Sequence, residues 1–150
     1  MPAYQTIVVG TDGSDSSYKA VEKAAALAGA AGAKLVIATA YYPTDDRDVA
    51  AASDVLKDDA YQVHGSAPTN EILRTAREKA RAAGAAEIIE RPIVGAPVES
   101  LLALVDEVDG DLLVIGNRGL NSLTGRLLGS VPSDAARKST SDVLIVHTVR

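Results

Sequence analysis

The sequence predicts one doubly wound α/β domain over residues 1–150, built on a mostly parallel five-stranded sheet flanked by helices. Three observations predict it: short aliphatic, β-branched runs recur along the chain; segments with apolar residues at helical spacing separate them; and two of the runs end in glycine, at Gly10 and Gly116. The alternation uses nearly all of the 150 residues, which leaves no room for a second core.

Residues 5–10 form a short run ending in glycine, the continuous apolar character expected of a strand buried on both faces. After Thr11, Asp12 and Gly13, Ser14 is placed to cap helix 1. The apolar stripe of that helix is Ala20, Val21, Ala24, Ala25, Leu27 and Ala28, and Gly29 and Gly32 break it. Lys34–Tyr41 reads as strand 2, ended by Pro43. Residues 44–67 are rich in Asp and poor in large apolar side chains, so they read as an exposed excursion with one helical stretch over about 49–61. Helix 2 opens at 67–71, turns Ile72, Leu73, Ala76 and Ala80 inward and ends near Gly84. Glu87–Val94 contains Pro92, which cannot donate to a ladder and so places strand 3 at the sheet edge. Pro97 suits the first turn of helix 3, Gly110 closes that helix, and residues 111–116 form strand 4. A short helix over about 131–138 and a last strand over 142–148 complete the pattern. Right-handed crossovers then favour the flavodoxin-like order 3-2-1-4-5, in which ligands bind beyond the carboxyl ends of the strands where the order reverses, between strands 1 and 4.

Composition narrows the function. Phe, Trp and Cys are absent, so the core is aliphatic and alanine-rich, and disulfides, thiolate metal sites and cysteine nucleophiles are excluded. A formal charge of -5 argues against nucleic acid or an anionic membrane as partner, because those reward clustered Lys and Arg. No apolar run approaches the roughly 20 residues of a membrane span, and no export signal is visible, so the expectation is a cytoplasmic protein. A small anion can still bind locally through backbone N–H groups.

The segment after strand 4 offers such groups. Its glycines, at Gly116, Gly119, Gly125 and Gly129, let the backbone approach a ligand closely and let successive N–H groups converge on an anion. Ser130 sits at the expected N-cap of the next helix with Pro132 in its first turn, so free N–H groups and the helix dipole point at the crevice. Arg118 either meets a phosphate or is a solvated loop charge. Asp12 repels phosphate unless a cation intervenes, so it holds a divalent ion or a ribose hydroxyl, or caps a turn.

Gly116, Gly119, Gly129 and Ser130 fit the pattern glycine, two residues, glycine, nine residues, glycine, then Ser or Thr, which resembles the ATP-binding universal stress proteins. The strand-1 exit Gly10-Thr11-Asp12-Gly13-Ser14, the turn Val94-Gly95-Ala96-Pro97 and the closing run from Asp142 to Val146 extend the resemblance over nearly the whole chain. The resemblance implies a stress-response protein with ATP in the crevice between strands 1 and 4. It puts Asp12 by the ribose or a magnesium ion carried by the nucleotide, a backbone segment at Ala38, Thr39 and Ala40 against the adenine, and Gly116, Gly119, Gly129, Ser130 and Ser133 around phosphates and ribose. Gly10, Thr11, Asn117 and Val131 flank these positions and complete the candidate contacts.

AMP or cyclic AMP is the alternative to ATP, since one phosphate against Gly129 and Ser130 would use the best donors. No Gly-x-x-x-x-Gly-Lys-Ser/Thr occurs, neither His64 nor His147 has a companion at metal-ligand or triad spacing, and no Gly-x-Ser-x-Gly elbow is present. Binding is therefore expected without dedicated catalysis, at most slow ATP hydrolysis. The last strand is expected at the other sheet edge. Its apolar stretch, which begins at Val143 and ends at Val149, invites pairing with a second copy, and family resemblance also implies a homodimer there.

Overall fold

The computed structural model describes residues 3–42, 66–117 and 130–148. The acidic segment after Tyr42 with its expected helical stretch, together with Arg118, Gly119, Gly129 and Val149, lies outside them. Among the described residues the elements are β1 (Thr6–Gly10), α1 (Asp15–Ala31), β2 (Lys34–Tyr41), α2 (Ser66–Ala83), β3 (Glu87–Val94), α3 (Pro97–Glu107), β4 (Leu112–Gly116), α4 (Ser130–Lys138) and β5 (Asp142–Val146).

The five strands form one sheet in the order β3-β2-β1-β4-β5, and all four pairings are parallel. This is the expected order. Among the described residues β3 pairs only with β2, so Pro92 lies on an edge strand, where its missing N–H costs no ladder bond on the outer side. The central strands β1 and β4 are buried along nearly their whole length because helices cover both faces. On one face Ile7, Val9, Leu35, Ile37 and Val114 pack against α1 and α2 through Ala24, Ala28, Leu73 and Ala80. On the other, Val8, Val36, Leu113 and Ile115 meet Leu101, Leu104 and Val105 of α3 and Ala135 of α4. Full burial of one such large aliphatic side chain stabilises the fold by about 1.5–3 kcal/mol.

Ser14 caps α1, its hydroxyl accepting the Ser17 N–H at 3.1 Å, and Gly32 in the left-handed conformation ends it. The helix runs straight through Gly29, where the sequence suggested a break. The glycine serves packing instead: a Cβ there would lie 2.5 Å from the Gly84 carbonyl oxygen at the end of α2. Ser130 is the first residue of α4 rather than the residue before it, and β5 ends at Val146, two residues short of the expected limit. Only Ser139, Thr140 and Ser141 separate α4 from β5, so the C-terminus of α4 sits at the sheet's amino end and its N-terminus points to the carboxyl end. The β1–β4 pairing runs from Ile7↔Leu112 to Val9↔Val114 and stops short of Gly10 and Gly116. The sheet therefore opens at its carboxyl end between its two central strands, where the strand order reverses.

Candidate functional site

Two chain segments leave this opening. On the β1 side, Gly10 is buried, Thr11 is buried and Asp12 half-buried. The Thr11 N–H donates to the Ala38 carbonyl at 2.9 Å, which extends the β1–β2 ladder into the turn. Side chains then direct the backbone. The Gly13 N–H donates to Thr11 Oγ1 at 3.1 Å, Thr11 Oγ1 lies 2.6 Å from Ser17 Oγ, and Ser17 Oγ donates to the Ser14 carbonyl at 2.9 Å. Since Ser17 spends its proton on that carbonyl, Thr11 must donate to Ser17, and the chain of bonds has one direction. The Ser14 N–H donates to Asp12 Oδ1 at 3.0 Å, so Asp12 does cap its turn. Gly13 takes φ +85°, and a Cβ there would meet Ile72 Cγ1 at 2.9 Å. The turn is thereby fixed against α2 as well as α1.

On the β4 side, Gly116 is buried and Asn117 half-buried. The Asn117 N–H donates to the Val146 carbonyl at 2.8 Å. Its Oδ1 accepts the Thr148 N–H at 2.7 Å and the Thr148 hydroxyl at 3.0 Å, and its Nδ2 lies 3.4 Å from His147 Nδ1. Ser16 on the first turn of α1 contacts the Thr148 hydroxyl through its own, and Lys19 Nζ donates to the Thr148 carbonyl at 3.3 Å. The segment that begins the glycine loop is thus bound to the residues just past β5 and, through them, to α1.

On β2, Ala38 and Thr39 are buried and Ala40 is half-buried. Ala38 is paired with Gly10, so this segment borders the β1 exit. Thr39 Oγ1 is buried with no hydrogen-bond partner, the one such side-chain atom among the described residues. A hydroxyl in that position costs about 1–3 kcal/mol when unpaired. Ser130 and Val131 open α4 at the carboxyl end of the sheet, and Ser133 one turn on is exposed. The candidates within the described residues therefore gather at one end of β1, β2 and β4 and at the start of α4. Tyr18, beside the β1 turn, has its phenol pKa raised above its usual value of 10.0. Burial is the main cause, Asp12, Asp15 and Glu71 add to it, and a hydrogen bond with Thr75 opposes it.

Sequence reasoning singled out Ser14, Asp12 and the strand-end glycines Gly10 and Gly116 but missed Ser16, Ser17, Lys19 and Thr148. Ser17 carries a local signal, three residues after a capping serine. The Asn117–Thr148 contact carries none, since its partners are 31 positions apart. Among the described residues no three His, Cys, Asp or Glu side chains cluster as a metal site, and no helix is long and apolar enough to cross a membrane.

Comparison with known proteins is decisive for the family. The model of the universal stress protein family matches residues 3–147. This chain belongs to the universal stress protein family. It is 58% identical over 148 residues to the universal stress protein Rv1636 of Mycobacterium tuberculosis strain ATCC 25618 / H37Rv, covering 99% of both chains. A crystal structure of a universal stress protein in complex with cAMP aligns with a TM-score of 0.77 and 54% identity over 98% of this chain and 99% of that one. The universal stress protein from Archaeoglobus fulgidus in complex with dAMP aligns with a TM-score of 0.67 and 25% identity over 95% and 98%. The observed strand order is that of these universal stress proteins.

Proposed function

We propose that this chain binds an adenine nucleotide in the opening between β1 and β4, as a regulator whose state depends on occupancy rather than as an enzyme. The observation that carries the reading is the parting of β1 and β4 after Val9↔Val114, with the Thr11–Ser14 turn, the Gly116–Asn117 exit and the N-terminus of α4 all at that end. A helix N-terminus together with a glycine-bearing loop supplies backbone donors and a favourable dipole for phosphate. Adenine would lie along Ala38, Thr39 and Ala40, next to the β1 exit, and the phosphate would meet Gly116, Gly119, Gly129 and Ser130.

A nucleotide with a single phosphate, cyclic AMP foremost, fits better than ATP. The relative that is 54% identical is a complex with cAMP, and the loop has no lysine of the P-loop kind for β- and γ-phosphates. A magnesium ion at Asp12 would enter only with a di- or triphosphate. The chain would act in the cytoplasm as a homodimer joined along β5, whose outer edge pairs with no other described strand and exposes Ile145.

Competition titration tests the ligand. Nucleotide-stripped protein is loaded with cyclic AMP and challenged with AMP and with ATP, each with and without magnesium. Displacement by ATP only at large excess supports the single-phosphate reading, whereas displacement by equimolar ATP with magnesium reverses it in favour of ATP. Release of phosphate from ATP faster than the buffer control would return the chain to the enzymes.

A further inference from the structure

Between the last ladder bond of β1 and the first residue of α1 the chain is shaped by side chains. Thr11 makes that last bond, its N–H donating to the Ala38 carbonyl at 2.9 Å, and α1 begins at Asp15. In the turn between them the Gly13 N–H is held by Thr11 Oγ1 at 3.1 Å, and the Ser14 N–H by Asp12 Oδ1 at 3.0 Å. Thr11 Oγ1 is in turn tied to the helix by Ser17 Oγ, 2.6 Å away, whose own proton goes to the Ser14 carbonyl at 2.9 Å. Thr11 and Ser17 are each 2% exposed, so these bonds are shielded from water. Asp12 itself is half-buried, at the end of the sheet where β1 and β4 part. The course of the backbone that carries it is thus set by a serine on the first turn of α1.

We propose that Ser17 is a positioning residue for the ribose of the nucleotide: by accepting the Thr11 hydroxyl it ties the β1 turn to α1 and so fixes where the Asp12 carboxylate accepts a ribose hydroxyl. The inference rests on the nucleotide reading above. A carboxylate repels phosphate and accepts from a hydroxyl, so at this opening it suits the sugar rather than the anion. It has about four acceptor sites, so it can take a ribose hydroxyl while it holds Ser14. In cyclic AMP the 2′-OH is the free ribose hydroxyl, since the 3′ and 5′ oxygens belong to the cyclic phosphate. An acceptor already held in place binds that hydroxyl more tightly than one that must be ordered on binding.

The role is separable from the helix cap. In Ser17→Ala the Ser14 carbonyl keeps the Tyr18 N–H at 3.0 Å, and the backbone N–H at position 17 keeps the Ser14 hydroxyl at 3.1 Å, so the tie to Thr11 is cut while the cap survives. Affinities for cyclic AMP and 2′-deoxy cyclic AMP are measured by isothermal titration of nucleotide-stripped wild type, Ser17→Ala, Asp12→Asn and the Ser17→Ala/Asp12→Asn pair. Thermal melts select a temperature at which each is folded. The wild type should prefer cyclic AMP about tenfold, the strength of one hydrogen bond to a charged group. Ser17→Ala should weaken cyclic AMP about tenfold and the deoxy ligand by no more than about twofold, so that the preference disappears. Asp12→Asn keeps an oxygen for the Ser14 N–H and should lose most of the preference as well. Adding Ser17→Ala to it should change neither affinity by more than about twofold. A Ser17→Ala protein that weakens both ligands equally has lost general packing and overturns the proposal, as does one that keeps the wild-type preference, or losses that multiply in the pair. Should Ser17→Ala not fold, Thr11→Val cuts the same bond from the other end, and its preference decides by the same criterion. A wild type that binds cyclic AMP without preferring it to the deoxy ligand defeats this inference only; one that binds neither defeats the cyclic AMP reading above and this inference with it.

Discussion

Apart from the Thr11 N–H bond to Ala38, the turn that leaves β1 is held by hydrogen bonds between residues at most six positions apart, whereas the segment that leaves β4 is held by bonds to Val146, His147 and Thr148 and, through Thr148, to Ser16, 132 positions from it. The side-chain bonds of the first wall, among Thr11, Asp12, Ser14 and Ser17, can therefore form as soon as α1 does. The second exists only when β5 has docked beside β4 and Thr148 has reached Asn117, so its order includes the entropy cost of closing a long loop. One side of the opening is thus held mostly by local bonds, and the other by bonds to residues 146–148.

Several substitutions would break or sharpen this contrast. Gly13→Ala forces a side chain into φ +85° and against Ile72, so it should lower unfolding stability by about 2 kcal/mol in urea melts. Adding Ile72→Ala should recover the steric part and leave the backbone strain. Ser14→Ala removes the α1 cap and should cost about 1 kcal/mol by the same measurement. Gly116→Ala on the other wall meets the Thr148 side chain at 3.3 Å and Ala20 Cβ at 4.0 Å, and should cost about 0.5 kcal/mol in stability while weakening cyclic AMP binding more than Ser14→Ala does. If Gly116→Ala proves as destabilising as Gly13→Ala, the two walls are equally rigid and the contrast fails.

The smallest effect concerns alkaline pH. Tyr18 has a folded-state phenol pKa raised above 10.0, so folding favours its neutral form. That contribution is present below pH 10 and is lost as pH rises through the raised value. Tyr4, whose phenol donates to Asp142 at 2.8 Å and is likewise raised, behaves the same way. Tyr18→Phe should leave stability at neutral pH nearly unchanged and make its decline above pH 10 shallower, with the Tyr4 part remaining. An unchanged alkaline limb in denaturant titrations would remove Tyr18 from this account.

How far the sequence could be read follows the same division. β1, β4 and their glycines were legible because a strand buried on both faces must be apolar throughout, and Pro92 and Pro97 announced an edge strand and a helix start through their missing N–H. Ser14 was legible as a cap because its partner, Ser17, is three residues away. Gly29 was misleading, since a glycine read as a helix stop was needed for the approach of the Gly84 carbonyl, a tertiary demand that local pattern does not carry. The glycine-loop spacing pointed to the family, and the family match bore it out. It could not show that Asn117 turns its carboxamide toward Thr148, because nothing in the run from residue 142 to 148 distinguishes a strand end from a latch.

The central claim is that an adenine nucleotide occupies the opening between β1 and β4. Backbone amide shifts in a 15N-labelled protein, followed by NMR during titration with cyclic AMP, test it most directly. The account predicts saturable shifts concentrated at Gly10 to Ser14, at Ala38 to Ala40 and at Gly116 and Asn117, with Thr6, Asp111 and Leu112 at the opposite end of the same strands unmoved. Shifts centred on that opposite end, or none at millimolar ligand, would contradict it.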